Sequence, residues 1–324
     1  MEKYLYGIIK SDNSRSFGNI GIGQSEVYTI QYNGVGAAVS NIPENYKIGI
    51  EEVKNHEKAL KKIMETYTII PMSFGIVTSN TEIKNTLKRA WMKFRNILKK
   101  IDNKLQINVK ISWDKTILAV ILKENEEIRI LIREAKEKLD QALKVELGRK
   151  VKSVLDQRKN EYIKTIQGTL TSLSDGFEEN KIVDQDTIMN ASFLVNKKRE
   201  HEFYDKLEEL EQKFDNKLKF LSVGPLPPYN FSKIEVKRMN FNEIEESRNA
   251  LTLGPEVSVS EINSAYNMLV REYHPDLHPG DPSVEEKFKR IKNAYNLLTK
   301  YCEHYLCSLE RSKVEDLILI QEKS

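Results

Sequence analysis

The residues with the most pointed chemistry stand together near the C-terminal end, in Tyr273-His274-Pro275-Asp276. They place an imidazole and a carboxylate two positions apart in a polar segment. Asp276 alone would serve to cap local amides or turn the loop. No hydrophobic core needs both groups at an exposed tip, so the pair points to a contact made with another molecule. The other candidates carry less. His56-Glu57 lacks the second histidine of a zinc-binding helix and reads as a satisfied histidine on an apolar helix side. Cys302, His304 and Cys307 have the wrong spacing for a zinc knuckle and no fourth ligand. Gly18-Asn19-Ile20-Gly21-Ile22-Gly23 is glycine-rich but does not match a phosphate loop, and no predicted helix opens after it. Neither a G-x-S-x-G elbow nor a Rossmann glycine pattern occurs. The reading is therefore a non-enzyme, with no catalytic, cofactor-binding or metal-binding residues.

Two amphipathic helices must position the His-Pro-Asp tip. Ile262, Ala265, Tyr266, Leu269, Val270 and Tyr273 recur at helical spacing before it, and Phe288, Ile291, Ala294, Tyr295 and Leu298 do so after it. Pro275 disfavours helical geometry at His274 and ends the first helix. Pro279-Gly280-Asp281-Pro282 keeps the connection in turn conformation. The expected unit is an antiparallel helical hairpin with His274, Pro275 and Asp276 at its tip.

This stretch resembles a J domain, the module by which Hsp40-type co-chaperones engage Hsp70. The likeness rests on Ala265-Tyr266, on the Tyr-His-Pro-Asp run, on Glu286-Lys287-Phe288 and on Asn293-Ala294-Tyr295, and it covers about residues 247–301. It implies Hsp70 as a partner, with His274, Pro275 and Asp276 at the contact and Arg271 beside them. The sequence departs from the pattern on the helix before the loop. Its outer positions hold Asn263, Ser264, Asn267 and Glu272, and Arg271 is the one basic residue there, so electrostatic steering should be weak. Leu251-Thr252 stands where the family usually has Leu-Gly.

The 324 residues leave room for two or three domains. A hydrophobic share of 40% excludes disorder as the general state. A net charge of +3 is too small to argue for nucleic acid. The two cysteines, Cys302 and Cys307, suit a reducing compartment without a disulfide framework. No apolar run approaches the roughly 18 residues of a membrane span, and Met1–Lys10 reads as a strand rather than a signal peptide. The expected location is the cytoplasm, with no membrane partner.

Lys3–Lys10 and Glu26–Tyr32 read as strands. Asn33-Gly34 is a tight-turn signal leading into a partner strand at Val35–Val39. Ser11–Gly23 and Ser40–Tyr46 read as loops. Helices are expected at Glu51–Tyr67 and Thr81–Lys100, with an extended segment at Thr68–Thr78 between them, broken at Pro71 and Gly75. A second unit repeats the class. It has strands at Gln106–Trp113, Thr187–Val195 and Lys217–Val223, a charged helical stretch at Glu124–Lys164 interrupted at Gly148, and a helix at Lys198–Asp215. Asp175–Asp186 reads as a polar connection. Both are α+β layers with helices on a sheet face.

Scattered motifs in these units resemble the gas vesicle accessory proteins of the GvpF/GvpL type. They are Tyr4-Leu5-Tyr6-Gly7-Ile8, Gly34–Ser40, His56-Glu57, Ile70–Gly75, Val109–Trp113, Asn190–Val195 and Val223–Phe231, which together span about residues 1–235. The family commonly has Trp where Leu226 stands, and a clearer Tyr-Leu after the Gly-Arg pair, where Gly148-Arg149 is followed by Lys150-Val151. The resemblance implies two α+β domains and an accessory role in building gas vesicles. It further implies the shell subunit and other accessory gas vesicle proteins as partners, and a vesicle-associated place in the cytoplasm. Two segments are candidate partner-binding surfaces: Pro71, Met72 and Phe74, and the proline-stiffened Leu226, Pro227 and Tyr229. Each also has a plain structural reading, as a bent strand end and as a stiff exit from the second sheet.

The expected organisation is an α+β domain at 1–104, a second at 105–235, a charged linker at 236–247, an all-α J-domain hairpin at 248–305 and a tail at 306–324. Taken without the vesicle resemblance, the chain would be a general J-domain co-chaperone with client-binding N-terminal domains. A neighbouring gene for a small shell protein separates the two readings.

Overall fold

A computed structural model of the chain describes residues 2–42, 46, 48–114, 120, 124–138, 141–184, 186–214, 217–232, 234–238, 240–278, 280–302, 307–314 and 318–322. It divides into two compact units, each drawn from separated stretches. One comprises Met1–His56, Met72–Arg95 and Lys233–Ser324, the other Glu57–Pro71 and Asn96–Ser232.

The N-terminal hundred residues run β1 (Glu2–Lys10), β2 (Ser16–Gly18), β3 (Val27–Tyr32), β4 (Val35–Ile42), α1 (Glu52–Thr66), β5 (Ile69–Pro71), β6 (Val77–Thr78) and α2 (Asn80–Lys100). In the first unit β2, β3, β4 and β1 follow one another across an antiparallel sheet, and β6 pairs with β1. The β3–β4 hairpin closes at Asn33-Gly34, where φ is 47° and 83°. Both central residues are left-handed, as a two-residue type I′ turn requires. β1 is buried on both faces from Tyr4 to Ile9, so it reads as a continuous apolar run rather than an alternation. The segment expected to be a plain loop after β1 holds β2 and a 3-10 turn at Ile22–Gln24. The turn forms because Ile22 is buried and its N–H donates to the Tyr6 hydroxyl at 2.7 Å. α2 opens on a capping box: the Ser79 N–H donates to the Glu82 carboxylate at 2.7 Å, and the Glu82 N–H to Ser79 Oγ at 3.1 Å.

The second unit continues with β7 (Lys104–Trp113), α3 (Glu126–Lys138), α4 (Gln141–Thr171), β8 (Gly176–Glu179), β9 (Thr187–Asn196), α5 (Glu200–Lys213), β10 (Leu218–Leu226) and α6 (Tyr229–Ser232). Its sheet has the order β10-β7-β9-β8, antiparallel throughout. The odd-numbered residues of β7, from Leu105 to Trp113, enter one core with Phe193, Phe203, Leu207 and Leu210, which is the period-two pattern expected for a strand covered on one face. Two expectations are corrected. Gly148 does not interrupt the helix: α4 runs unbroken through it. A single exposed glycine costs about 1 kcal/mol, and long helical flanks absorb that. The polar connection at 175–186 also contributes a strand, β8, which pairs with β9.

The C-terminal part of the first unit runs β11 (Ile234–Arg238), α7 (Phe241–Ala250), β12 (Glu256–Val257), α8 (Val259–Glu272), α9 (Pro282–Tyr301), β13 (Cys307–Ser308), α10 (Arg311–Val314) and β14 (Ile318–Glu322). The expected linker at 236–247 is therefore structured. β11 pairs with β14, and α7 and the residue that caps its end put Ile244 and Leu251 into a core with Ile262, Leu269, Ile291 and Leu298. The sequence showed only charge there, because α7 has few apolar positions. The tail folds back: Leu309 is buried and its N–H donates to the Pro255 carbonyl at 2.7 Å, beside the β12–β13 pair. This return brings the Cα atoms of Cys302 and Cys307 to 5.5 Å, a separation a disulfide can span. His304 lies outside the described residues, as do Pro279 and Leu317.

Phe193 is fully buried, with Phe177 and Phe203 rings at 5.3 and 5.4 Å. Phe193→Ala should cost about 3–5 kcal/mol in urea unfolding. A loss below about 1 kcal/mol would show that the core of the second unit does not depend on this ring.

Candidate functional site

The His-Pro-Asp tip is built by two well-terminated helices. Ser258 and Glu261 form a capping box at the start of α8. Asp281 caps α9 by accepting from the Ser283 N–H at 2.9 Å, with Pro282 in the first turn. Between the helices, residues 275–277 make a 3-10 turn capped by His274, whose Nδ1 accepts from the Asp276 N–H at 3.3 Å. The imidazole stands edge-on to the Phe288 ring at 5.6 Å, so α9 holds it in place. Tyr266 and Tyr295 stack at 4.0 Å, and the Tyr295 hydroxyl donates to Asn263 at 2.9 Å, which locks the hairpin.

The result is a rigid support with an open tip. The Asp276 side chain is 87% exposed and that of His274 42%. Arg271 is exposed on the last turn of α8. Pro275 is half-buried, and Leu277 and Met268 project into solvent. The structure thus brings together all four residues that the sequence nominated here. It also adds one that sequence spacing missed: Lys287 of α9 sets its ammonium 3.6 Å from the centre of the Tyr273 ring, next to the loop. At the opposite end of α9, Arg89 of α2 donates to the Tyr301 carbonyl at 3.1 Å and faces its ring at 5.8 Å. Twenty residues of helix separate that anchor from the tip, about 30 Å at 1.5 Å per residue.

His56 occupies a different environment. It is buried, and its Nδ1 meets the Tyr4 hydroxyl at 2.9 Å while the ring also bonds the Met72 backbone. Tyr4 in turn accepts from the Gly75 N–H at 3.0 Å. Tyr6 stacks on the imidazole at 5.7 Å, and Phe74 meets it edge-on at 5.8 Å. Burial pushes the His56 pKa down to about 4, against a partly opposing bond to Met72. The residue is a neutral structural pin for the chain at 72–75. Met72 is buried; Phe74 remains partly exposed at the surface of the pinned loop.

In the second unit α6 packs against β5, so Pro71 and Tyr229 belong to neighbouring elements. Pro71 and Pro227 are buried and Leu226 half-buried. Tyr229 is 39% exposed as a whole, yet burial around its hydroxyl pushes the phenol up to about 12, with Glu57 adding to the effect. The backbone of this segment is held from below by Gln106, whose Oε1 accepts from the Asn230 N–H at 2.9 Å and whose Nε2 donates to Asn230 Oδ1 at 3.1 Å. Asn230 then donates to Asn180 at 2.7 Å. Sequence reading missed this network. A glutamine at the one even position of β7 that is fully buried becomes noticeable only once the strand has neighbours. Of the proposed contact residues, Phe74 and Tyr229 offer exposed ring surface, and the buried prolines and Met72 shape the segments beneath.

Among the described residues no group of three or more His, Cys, Asp or Glu could hold a metal ion, and no helix is long and apolar enough to cross a membrane.

Comparison with known proteins divides the chain in two. Residues 2–233 match the family model described as gas vesicle synthesis protein GvpL/GvpF, and residues 249–303 match the DnaJ domain. Gas vesicle protein F of Nostoc sp. is 28% identical over 245 residues, covering 71% of this chain and 98% of that protein. Gas vesicle protein F1 of Halobacterium salinarum is 27% identical over 243 residues, 72% and 93% of the two chains. The crystal structure of GvpF from Anabaena sp. superimposes with a TM-score of 0.64 at 25% identity, over 72% of this chain and 99% of that one. The C-terminal part is 46% identical over 56 residues to chaperone protein DnaJ of Anaplasma marginale, 17% of this chain and 13% of that protein.

The His56 environment gives a pH prediction. Its folded pKa of about 4 lies below the ordinary 6.5, so the unfolded chain binds more protons between those values. Stability is then fully present above about pH 6.5 and declines as pH falls toward 4. His56→Gln should flatten this decline by on the order of 3 kcal/mol in denaturant titrations across that window. Parallel pH profiles for parent and variant would contradict the assignment.

Proposed function

The chain belongs to the gas vesicle synthesis protein GvpL/GvpF family, and from that premise we propose that it is a cytoplasmic accessory protein of gas vesicle assembly. Its α+β body binds the shell subunit or other vesicle proteins, and its His-Pro-Asp loop recruits an Hsp70 to the same client. The resemblance implies a shell subunit that is small and very apolar. Such a subunit exposes aggregation-prone surface until it is incorporated. A holding protein that also carries a chaperone-recruiting module keeps binding and ATP-driven release on one client.

The observation that carries this reading is the tip itself. A histidine and an aspartate are held open to solvent on a doubly capped, tightly stacked hairpin, at the far end of α9 from its anchor on Arg89. A decaying module would have no reason to keep the caps, the Tyr266–Tyr295 stack and the His274–Phe288 contact together. Arg271 and Lys287 flank the loop as the basic groups for an acidic partner surface. The vesicle part of the reading is supported by the family match over residues 2–233.

His274→Gln should abolish stimulation of a cognate Hsp70 ATPase while leaving the circular dichroism and thermal unfolding of the chain unchanged. Equal stimulation by parent and variant would refute the role of the loop. No stimulation by the parent would reduce the module to a docking element.

A further inference from the structure

The returning tail brings together two thiols that the proposed function does not use. Cys302 caps the C-terminal end of α9, where its N–H donates to the Leu298 carbonyl at 2.8 Å, and it is 1% exposed. Cys307 opens β13, pairs with Val257 of β12 and is half-buried. The two lie five positions apart, with Cα atoms 5.5 Å from one another and Sγ atoms in contact. A disulfide closes over Cα separations of about 4.4–6.8 Å, so closure here needs no movement of the backbone.

The pair sits where a covalent tie has something to hold. From Cys307 to Val314 the tail is kept down by short-range contacts. These are the two-residue β12–β13 pair, the Leu309 N–H on the Pro255 carbonyl, the Tyr301 hydroxyl on the Ser308 carbonyl at 2.6 Å, and the buried side chains of Leu309 and Val314. Segments held in this way open locally at a fraction of the global unfolding free energy. The two exposures also differ in a way that suits exchange chemistry. A core that needed only two small apolar side chains would bury both, whereas Cys307 keeps part of its surface in solvent, within reach of a thiol. Exposed disulfides are the labile, reversible kind.

We propose that Cys302 and Cys307 are a reversible redox latch for the tail, open under reducing conditions and closed by a low-molecular-weight disulfide such as oxidised glutathione. The Cys307 thiol gives up its proton, attacks one sulfur of that disulfide and releases one glutathione thiolate, which leaves a mixed disulfide on Cys307. The Cys302 thiol then gives up its proton and attacks the Cys307 sulfur, and the second glutathione leaves as thiolate. Two protein thiols are oxidised, one glutathione disulfide is reduced, and the two protons pass to the departing thiolates. Excess reduced glutathione runs the sequence backwards. Burial keeps Cys302 from meeting the oxidant first, which fixes the order. The latch stands on these distances and exposures and is independent of any partner of the His274 loop.

The test reduces the full chain, equilibrates it with oxidised glutathione and reads it by intact mass and peptide mapping. The parent should lose two hydrogens, carry a link between Cys302 and Cys307, and regain the hydrogens in excess reduced glutathione. Closing the link should slow hydrogen exchange at residues 307–314 by about tenfold or more and leave exchange at the tip, 274–277, unchanged. Cys302→Ala should stop at a glutathione adduct on Cys307. Cys307→Ser, at the half-buried position, should leave Cys302 unmodified and melt like the reduced parent. Neither variant should show slowed exchange. A parent that ends with two glutathione adducts or as a cross-linked dimer would overturn the latch, and so would an adduct on Cys302 in Cys307→Ser. A link that forms without slowing exchange would be a cysteine pair that holds nothing, and would overturn it equally.

Discussion

A buried polar group is tolerated only when it is hydrogen-bonded, and the first sheet is organised around that constraint. Tyr4 and Tyr6 lie on a strand buried on both faces, and His56 is buried against them. Their polar atoms find partners only if the strand, α1, the turn at Ile22 and the chain at 72–75 are all in place. The apolar core could collapse in several registers; this network accepts one. Among the described residues no buried side-chain polar atom is left without a partner. The same logic recurs at Gln106, Asn230 and Asn180, where a buried amide fixes the segment after β10.

The hairpin that carries His274 follows the opposite principle. Its stability comes from the stacked Tyr266–Tyr295 pair, from caps at both helix starts and from a third helix, α7, against α9. Its tip is left exposed. Arg89 holds the other end of α9, so the tip is positioned without being covered. The returning tail, with Cys307 beside Cys302 and β14 paired to β11, ties the end of the module to its beginning. Support is concentrated away from the tip, which leaves it rigid and open to solvent.

Much of this was legible in the residues. Asn33-Gly34 names its own turn, the odd positions of β7 declare a one-sided strand, and Pro275 between two apolar stripes marks the hairpin tip. What failed had physical causes. Gly148 sits in an exposed, charged helix long enough to outweigh its propensity. The β11 strand and α7 were hidden because their pairing and packing partners lie far away in sequence, at Ile318–Glu322 and on α9. The cysteine pair required knowing that the tail turns back after Tyr301. Lys287 came into view only when helix phase placed it over Tyr273. The segments at 70–75 and 226–229 were readable as conspicuous, but their burial was not: proline and methionine look the same in a binding loop and in a packed bend.

The central claim is that one chain joins vesicle assembly to an Hsp70 cycle through the His274 loop. The most direct measurement is pressure-sensitive turbidity of a vesicle-forming host that lacks this gene, complemented with the parent chain or with His274→Gln at matched expression. The account predicts that the parent restores vesicles and that the variant restores markedly fewer, with shell subunit accumulating in the insoluble fraction. Equal vesicle yield from the two chains would contradict it.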